Sequence, residues 1–209
     1  QVSREEDSGM VVAARPVYGG NAMATVTFAD ARPQVVMLRA GAYEQLEVDA
    51  GRTGEVVEVT PGLDPSVVRA RHVETVQRER EGVRLEDAPV VVCGGRGLGG
   101  PEPFEKLSEL AALLGGAVGA SRAACDAGWI DHSYQVGLTG KTVTPDLYIA
   151  LGVSGASQHM AGCSGARNIV SINRDPEANI FKEAAYGVVG DWRNVLPSFM
   201  EAVRELTGA

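Results

Sequence analysis

The sequence predicts an α/β fold over residues 81–209, built on a doubly wound parallel sheet, behind a β-rich partial domain over residues 1–80. Three observations predict it. From Leu85 onward, short continuous apolar runs alternate with segments of helical spacing. Such runs suit strands buried on both faces of a parallel sheet under helices. Nearly every run ends in a turn of glycine and small polar residues. Before Leu85 the chain instead holds short valine- and threonine-rich runs, which suit strands.

In the first part, residues 11–29 read VVAARPVYGGNAMATVTFA and residues 33–48 read PQVVMLRAGAYEQLEV. Both are β-rich and are broken by Gly-Gly and Arg-Pro. TGEVVEVT, residues 53–60, is a further strand candidate. PSVVRARHVETVQRER, residues 65–80, is open to helix or strand, and its β-branched residues favour strand. No complete core is visible here, so this part reads as an arm or half-domain that packs on something else.

The second part is more regular. APVVVCGG, from Ala88, is a buried strand. PEPFEKLSELAALLGG places Phe104, Leu107, Leu110, Leu113 and Leu114 on one helical face, with Pro103 in its first turn and Gly115-Gly116 as its stop. AVGASRA is the second strand and DLYIALGVS the third, followed by a short helix around HMAGC. NIVSINRD and YGVVGD are the fourth and fifth strands. WRNVLPSFMEAVRELTG is a closing amphipathic helix. In sheets of this kind ligands bind outside the carboxyl ends of the strands, so the strand-end turns are the places to search.

Composition narrows the function. The chain of 209 residues carries a net charge of −8, which repels nucleic-acid phosphates and anionic membranes. Aromatic residues are 5% of the total, too few for base-stacking platforms. No apolar run reaches membrane-spanning length and no signal-peptide pattern opens the chain, so neither membrane insertion nor export is expected. Cys93, Cys125 and Cys163 are odd in number and far apart, which suits reduced thiols inside a cell. His72, His132 and His159 show no metal-ligand spacing, and no metal is expected.

Three turns could carry chemistry. In GGRGLGG, Gly95, Gly97 and Gly100 satisfy GxGxxG between a strand and a helix. The motif admits a dinucleotide phosphate or a plain tight turn, and the second strand ends in Arg122 rather than in a ribose-binding acid. GVSGA, around Ser154, has the shape of a nucleophile elbow. A hydrolase would need a later histidine as base, and none follows His159. Small residues from Ser154 to Ser157 also suit an anion at a helix N-terminus. His159 then reads as a donor to a ligand carbonyl or as a satisfied structural histidine. YQVGLTGKTVTP is a loop in which Thr139 offers a hydroxyl.

Taken together, VVVCGGRGLGG, GAVGASRAACDAGW, QVGLTGKTVTPDLYIALGVSGASQHMAGC and INRDPEANIFKEAAYGVVGDW resemble the Rossmann-like FAD-binding domain of the electron transfer flavoprotein alpha subunit. The similarity runs from Leu85 to the C-terminus. RPVYGGNAMATV resembles the end of that family's N-terminal domain, which makes residues 1–80 its partner-facing remnant. Members of the family carry a further N-terminal stretch ahead of the part matched here.

The resemblance implies FAD as cofactor and assigns roles. Arg96 lies near it, Ser121 contacts it, and Arg122 sets its guanidinium over the flavin ring. Gln135, Val136, Gly137, Leu138 and Thr139 wrap the ring, with Thr139 near N5. Ser154, Gly155, Ala156, Ser157, Gln158 and His159 hold the pyrophosphate and ribityl side, and His159 reaches the pyrimidine edge. Asn173, Asp191 and Trp192 meet the adenosine end. Leu138 stands where many relatives carry a polar residue, which points to altered ring contacts. Arg122, Thr139 and His159 would tune the redox potential rather than break bonds.

It further implies a heterodimer with a beta subunit that usually bears AMP. Electrons come from dehydrogenases, commonly acyl-CoA dehydrogenases of fatty acid oxidation, and pass to a quinone oxidoreductase or another acceptor. The chain would be a redox carrier and not an enzyme with its own substrate chemistry, placed in bacterial cytoplasm or the mitochondrial matrix. The rival readings are a nicotinamide-dependent dehydrogenase and a non-redox nucleotide-binding module.

Overall fold

A computed structural model of the chain describes residues 2–17, 22–28, 32–38, 43, 46–60, 62, 64, 66, 68–74 and 83–208. The chain divides into two compact units, one of residues 1–42 with 82–209 and one of residues 43–81.

An antiparallel sheet forms in the N-terminal region from β1 (Val2–Arg4), β2 (Val11–Val17) and β3 (Ala22–Thr27), with β2 in the middle. Arg15-Pro16 does not interrupt β2: Pro16 lies opposite Met23 of β3, while β1 ends its pairing at Val11–Ala13. Proline lacks a ladder N–H, and here it sits beyond the reach of β1, so only one side of the strand is paired. The expected strand at 53–60 does not form, and residues 34–38, 46–49 and 68–74 are likewise outside regular structure. Val56 is 89% exposed and Val59 78%. A β-branched run becomes a strand only when a neighbour supplies its ladder bonds and covers a face, and neither happens here. Residues 75–80 of the last expected strand lie outside the described residues.

The second sheet holds five parallel strands, β4 (Val90–Gly94), β5 (Ala117–Ala120), β6 (Leu147–Leu151), β7 (Asn168–Asn173) and β8 (Tyr186–Val189). Their order is β5-β4-β6-β7-β8. The chain therefore winds outward from β4 to β5, then returns to the other side of β4 and continues from β6. That reversal opens a crevice at the carboxyl ends of β4 and β6.

The alternation of side chains along each strand sends its residues to two cores. Val92, Ile149, Leu151 and Ile172 face α1 (Pro103–Leu113), α2 (Arg122–Asp126) and α4 (Trp192–Thr207). Leu107 and Leu110 of α1 are fully buried there, as the helical spacing predicts. Arg204 of α4 pairs with Glu109 of α1 across the outside of this layer. Val91, Cys93, Tyr148, Ala150 and Ile169 face the other way, against α3 (Ser157–Cys163) and the segments around Val136, Val143 and Ile180. β8 differs from the other strands: it lies at the edge of the sheet, and Tyr186, Val188 and Val189 are exposed.

Candidate functional site

The carboxyl ends of β4, β5, β6 and β7 open into one cleft of about 720 Å³. That volume is in the range of cofactor sites. Of the residues singled out from the sequence, the cleft is lined by Arg96, Ser121, Arg122, Gln135, Val136, Gly137, Leu138, Thr139, Ser154, Ala156, Gln158, His159 and Asn173. Gly155 and Ser157 are not on its wall. Asp191 and Trp192 stand instead in a smaller adjoining recess that shares Gly97, Gly152, Asn173 and Arg174 with the cleft. Sequence reading missed Ala123, Asp126, Val153, Arg174, Asp175 and Ala178, which also line it. Only the turn signal NRDP pointed towards Arg174 and Asp175. Three arginines against two aspartates leave the wall cationic, as an anionic dinucleotide requires.

The GxGxxG turn has a local explanation. Gly97 N–H donates to the Gly152 carbonyl at 2.9 Å, and a Cβ on Gly95 would strike the same carbonyl. These glycines let the turns after β4 and β6 touch. The turn after β6 also depends on Gly155, with φ +75°, where a Cβ would be driven into the backbone of Ile180. This close contact carries the turn at Ser154 onto the 3₁₀ segment Asn179–Lys182, where Ile180 N–H donates to the Ser154 carbonyl at 3.1 Å.

The loop between β5 and β6 is held from several sides. Gln135 and Lys141 extend it through isolated bridges with Ala120 and Val136 respectively. Gln135 Nε2 donates to Thr139 Oγ1 at 2.9 Å, and Leu138 N–H donates to the Gln158 carbonyl at 2.7 Å. Lys141 Nζ lies 2.8 Å from Glu86 in a pair about three-quarters shielded from water. Burial works to raise the Glu86 pKa, but the Lys141 hydrogen bond and charge outweigh it and hold the carboxyl below its ordinary value. Leu138 is about half exposed on this loop.

The remaining side chains sort into committed and uncommitted groups. Asn173 Nδ2 donates to the Val153 carbonyl and its Oδ1 accepts from Asp175 N–H, so it ties β7 to the turn after β6. Asp191 caps α4 by accepting from Arg193 N–H. Arg193 lies over the Trp192 ring at 4.8 Å. Arg122 Nε pairs with Asp126 at 3.3 Å on the cleft wall, and both are largely exposed. Among the described residues, three buried polar atoms here have no partner: Ser121 Oγ, His159 Nδ1 and Trp192 Nε1. Ser121 begins α2 yet its hydroxyl does not cap it. His159 Nε2 meets the Tyr148 hydroxyl at 2.9 Å. Burial lowers the His159 pKa to about 4, with the Val136 backbone acting weakly the other way, so the ring is neutral at pH 7.

Buried polar atoms without partners are costly, and two of these belong to cleft-lining residues. A ligand rich in acceptors would satisfy them. The site thus fits a bound dinucleotide such as FAD. No metal cluster occurs among the described residues.

Comparison with known proteins agrees with this geometry. The model described as "Electron transfer flavoprotein FAD-binding domain" matches residues 84–164, and "Electron transfer flavoprotein domain" matches residues 1–63. The electron transfer flavoprotein subunit alpha of Megasphaera elsdenii is 47% identical over 210 residues, covering all of this chain and 62% of that protein. Its counterpart in Thermoanaerobacterium thermosaccharolyticum is 46% identical over 201 residues, 96% of this chain and 61% of that protein. The mitochondrial subunit alpha of Arabidopsis thaliana is 41% identical over 196 residues, 91% of this chain and 54% of that protein. The chain thus spans about three-fifths of the length of the bacterial relatives. With an FAD-binding domain over residues 84–164 and an identity near one residue in two across its length, the chain belongs to the electron transfer flavoprotein alpha-subunit family.

Proposed function

We propose that the chain is a one-electron carrier that works through FAD held in the cleft at the carboxyl ends of β4 to β7. The observation that carries this reading is the pair of buried, unpartnered groups, Ser121 Oγ and His159 Nδ1, on residues lining one cationic cleft. FAD supplies the redox chemistry, since its ring takes up and releases electrons singly or in pairs.

The chain's own residues bind, orient and tune. Arg122 offers a positive charge beside the ring, and Asp126 partly offsets it. The loop of Gln135 to Thr139, pinned by its internal hydrogen bond and by Gln158, forms a wall that excludes water from one side. Ser154, Ala156 and Gln158, the cleft-lining residues of the turn into α3, would hold the pyrophosphate, because the first N–H groups of a helix have no partner within it. Arg96 and Arg174 add charge along the phosphate path. Asn173 positions the turns, while Asp191 and Trp192 bound the recess at the adenosine end. No group in this set is placed as a nucleophile with an independent base, which suits a carrier rather than a hydrolase.

The partner is a beta subunit bearing AMP. Donors are dehydrogenases, acyl-CoA dehydrogenases first among them, and the acceptor is a quinone oxidoreductase. Residues 1–80 form a partner-facing β-rich part and residues 81–209 the cofactor domain. Leu46, Val56 and Val59 in the first part are all more than half exposed, as residues awaiting cover would be. No helix among the described residues is long and apolar enough to cross a membrane. The compartment proposed is bacterial cytoplasm, with the mitochondrial matrix as the alternative.

The test is an absorption spectrum of the purified chain with its beta subunit, followed by stepwise anaerobic reduction. A yellow protein whose flavin bands bleach on reduction and return on addition of an acceptor is expected. A protein that stays colourless after incubation with FAD would return the nucleotide-binding module as the better reading.

A further inference from the structure

Tyr148 is the fully buried large polar side chain of β6, the central strand of its sheet, and the cofactor reading leaves it without a role. It points to the α3 side of the sheet, where its hydroxyl stands 2.9 Å from His159 Nε2. The ring centroids are 6.2 Å apart and tilted by 58°, so the contact is made through the hydroxyl and not by stacking. The other polar neighbours of that hydroxyl are the thiols of Cys93, on β4, and Cys163, at the end of α3. Cys163 Sγ itself lies 3.6 Å from the His159 carbonyl, to which its thiol donates.

This geometry decides who donates. A neutral imidazole has one donor and one acceptor nitrogen, and the partner of one nitrogen sets the state of the other. The Tyr148 hydroxyl keeps its proton, because burial and the nearby thiols hold its pKa well above the ordinary value. That proton needs an acceptor. Thiol sulfur is a weak one, whereas an unprotonated ring nitrogen at 2.9 Å is a strong one. Cys93 and Cys163 are fully buried and also stay protonated, and burial pushes Cys163 up to about 12. Glu183 is an acid that acts on this cluster, through Cys163. On the remaining side, Nδ1 has no partner in hydrogen-bonding geometry, and the Val136 backbone acts on the ring only weakly.

We propose that Tyr148 is a positioning residue that locks His159 in the Nδ1–H form, so that His159 meets its ligand only as a hydrogen-bond donor. The proposal rests on the reading of the cleft as the FAD site. A donor locked in place favours an oxygen acceptor on the pyrimidine edge of the flavin, and favours it more as that edge gains negative charge on reduction. The opposite tautomer would present a lone pair there and work against both. Tyr148 thus reaches the cofactor through His159, from the far side of the imidazole.

The experiment is ¹⁵N NMR of the FAD-loaded protein and of the same protein after flavin removal, labelled at histidine. The chain has three histidines, and His159→Gln assigns the relevant signals. The expected result at neutral pH is a pyrrole-type Nδ1 and a pyridine-type Nε2 for His159 in both preparations. Tyr148→Phe should abolish that pattern, lower the flavin potential and weaken FAD binding about tenfold. A wild-type ring protonated on Nε2 overturns the proposal, even if the variant fails to fold. So does an unchanged Nδ1–H pattern in a folded Tyr148→Phe protein. Failure of the cofactor reading has a different signature: no FAD binding by titration, with the Nδ1–H pattern still present in the flavin-free protein.

Discussion

At His159 burial sets the charge of the ring. The folded protein resists protonating this ring down to about pH 4, whereas an unfolded histidine titrates near 6.5. The unfolded state therefore binds the extra proton first as pH falls. Stability contributed by the neutral ring is present above about 6.5 and is lost as pH falls towards 4, by roughly 3 kcal/mol over the window. Denaturant unfolding at a series of pH values should show this slope in the flavin-free protein, and His159→Gln should flatten it. An identical slope in the variant would mean that other groups carry the acid response. In the proposed site Arg122 would act through its charge. A unit charge at 4 Å in an effective dielectric of 20 is worth about 4 kcal/mol. Arg122 is two-thirds exposed and shares its charge with Asp126, so about 1 kcal/mol is expected to survive. Arg122→Ala should then lower the one-electron potential by roughly 50 mV, read by spectroelectrochemistry. Asp126→Asn should move it the opposite way.

Elements place these residues by contact between turns. Gly155 joins the turn after β6 to the Asn179–Lys182 segment at a left-handed backbone position. Gly155→Ala must both strain φ and displace Ile180, at a cost of about 3 kcal/mol, and should lower Tm together with FAD affinity. An unchanged Tm would show that the turn can move aside cheaply. The loop of Gln135 to Thr139 depends on its far end as well, where Lys141 meets Glu86. Removing one partner leaves the other partly buried charge alone. Glu86→Gln should loosen the loop by about 1 kcal/mol and speed FAD release, measured by stopped-flow fluorescence. None of these couplings follows from local spacing, since 55 residues separate Glu86 from Lys141. The helices were legible for the opposite reason. Leu107 and Leu110 fall on one stripe of α1, and a stripe is a property of neighbouring residues.

For the whole molecule, ligand binding and stability are one equilibrium. FAD at a hundred times its dissociation constant should raise stability by about 2.7 kcal/mol. NAD at the same concentration should leave Tm in place, and a shift of Tm with NAD alone would favour the dehydrogenase reading. The sheet order places β4 and β6 side by side, which is what turns separate strand-end loops into one cleft. β8 lies at one edge of that order, and its valines are exposed although the sequence reads as buried strand.

The sequence alone determined the five parallel strands and three of the four helices that flank them, because apolar periodicity and turn chemistry act over a few residues. α2 (Arg122–Asp126) is not legible there, and the strand expected over AVGASRA stops at Ala120, where the helix takes over. It also carried the family signature, since SRAACDAG, SGASQH and NRDPEA are local strings. Only the tertiary structure decided that Val56, Val57 and Val59 stay outside any sheet, because a strand is defined by a partner. It alone showed that Gly95 and Gly97 serve contact with Gly152, that Asp191 caps a helix, and that the buried Tyr148 hydroxyl meets His159. Each of these depends on distance and burial between residues far apart in the chain, and no pattern along the chain encodes them.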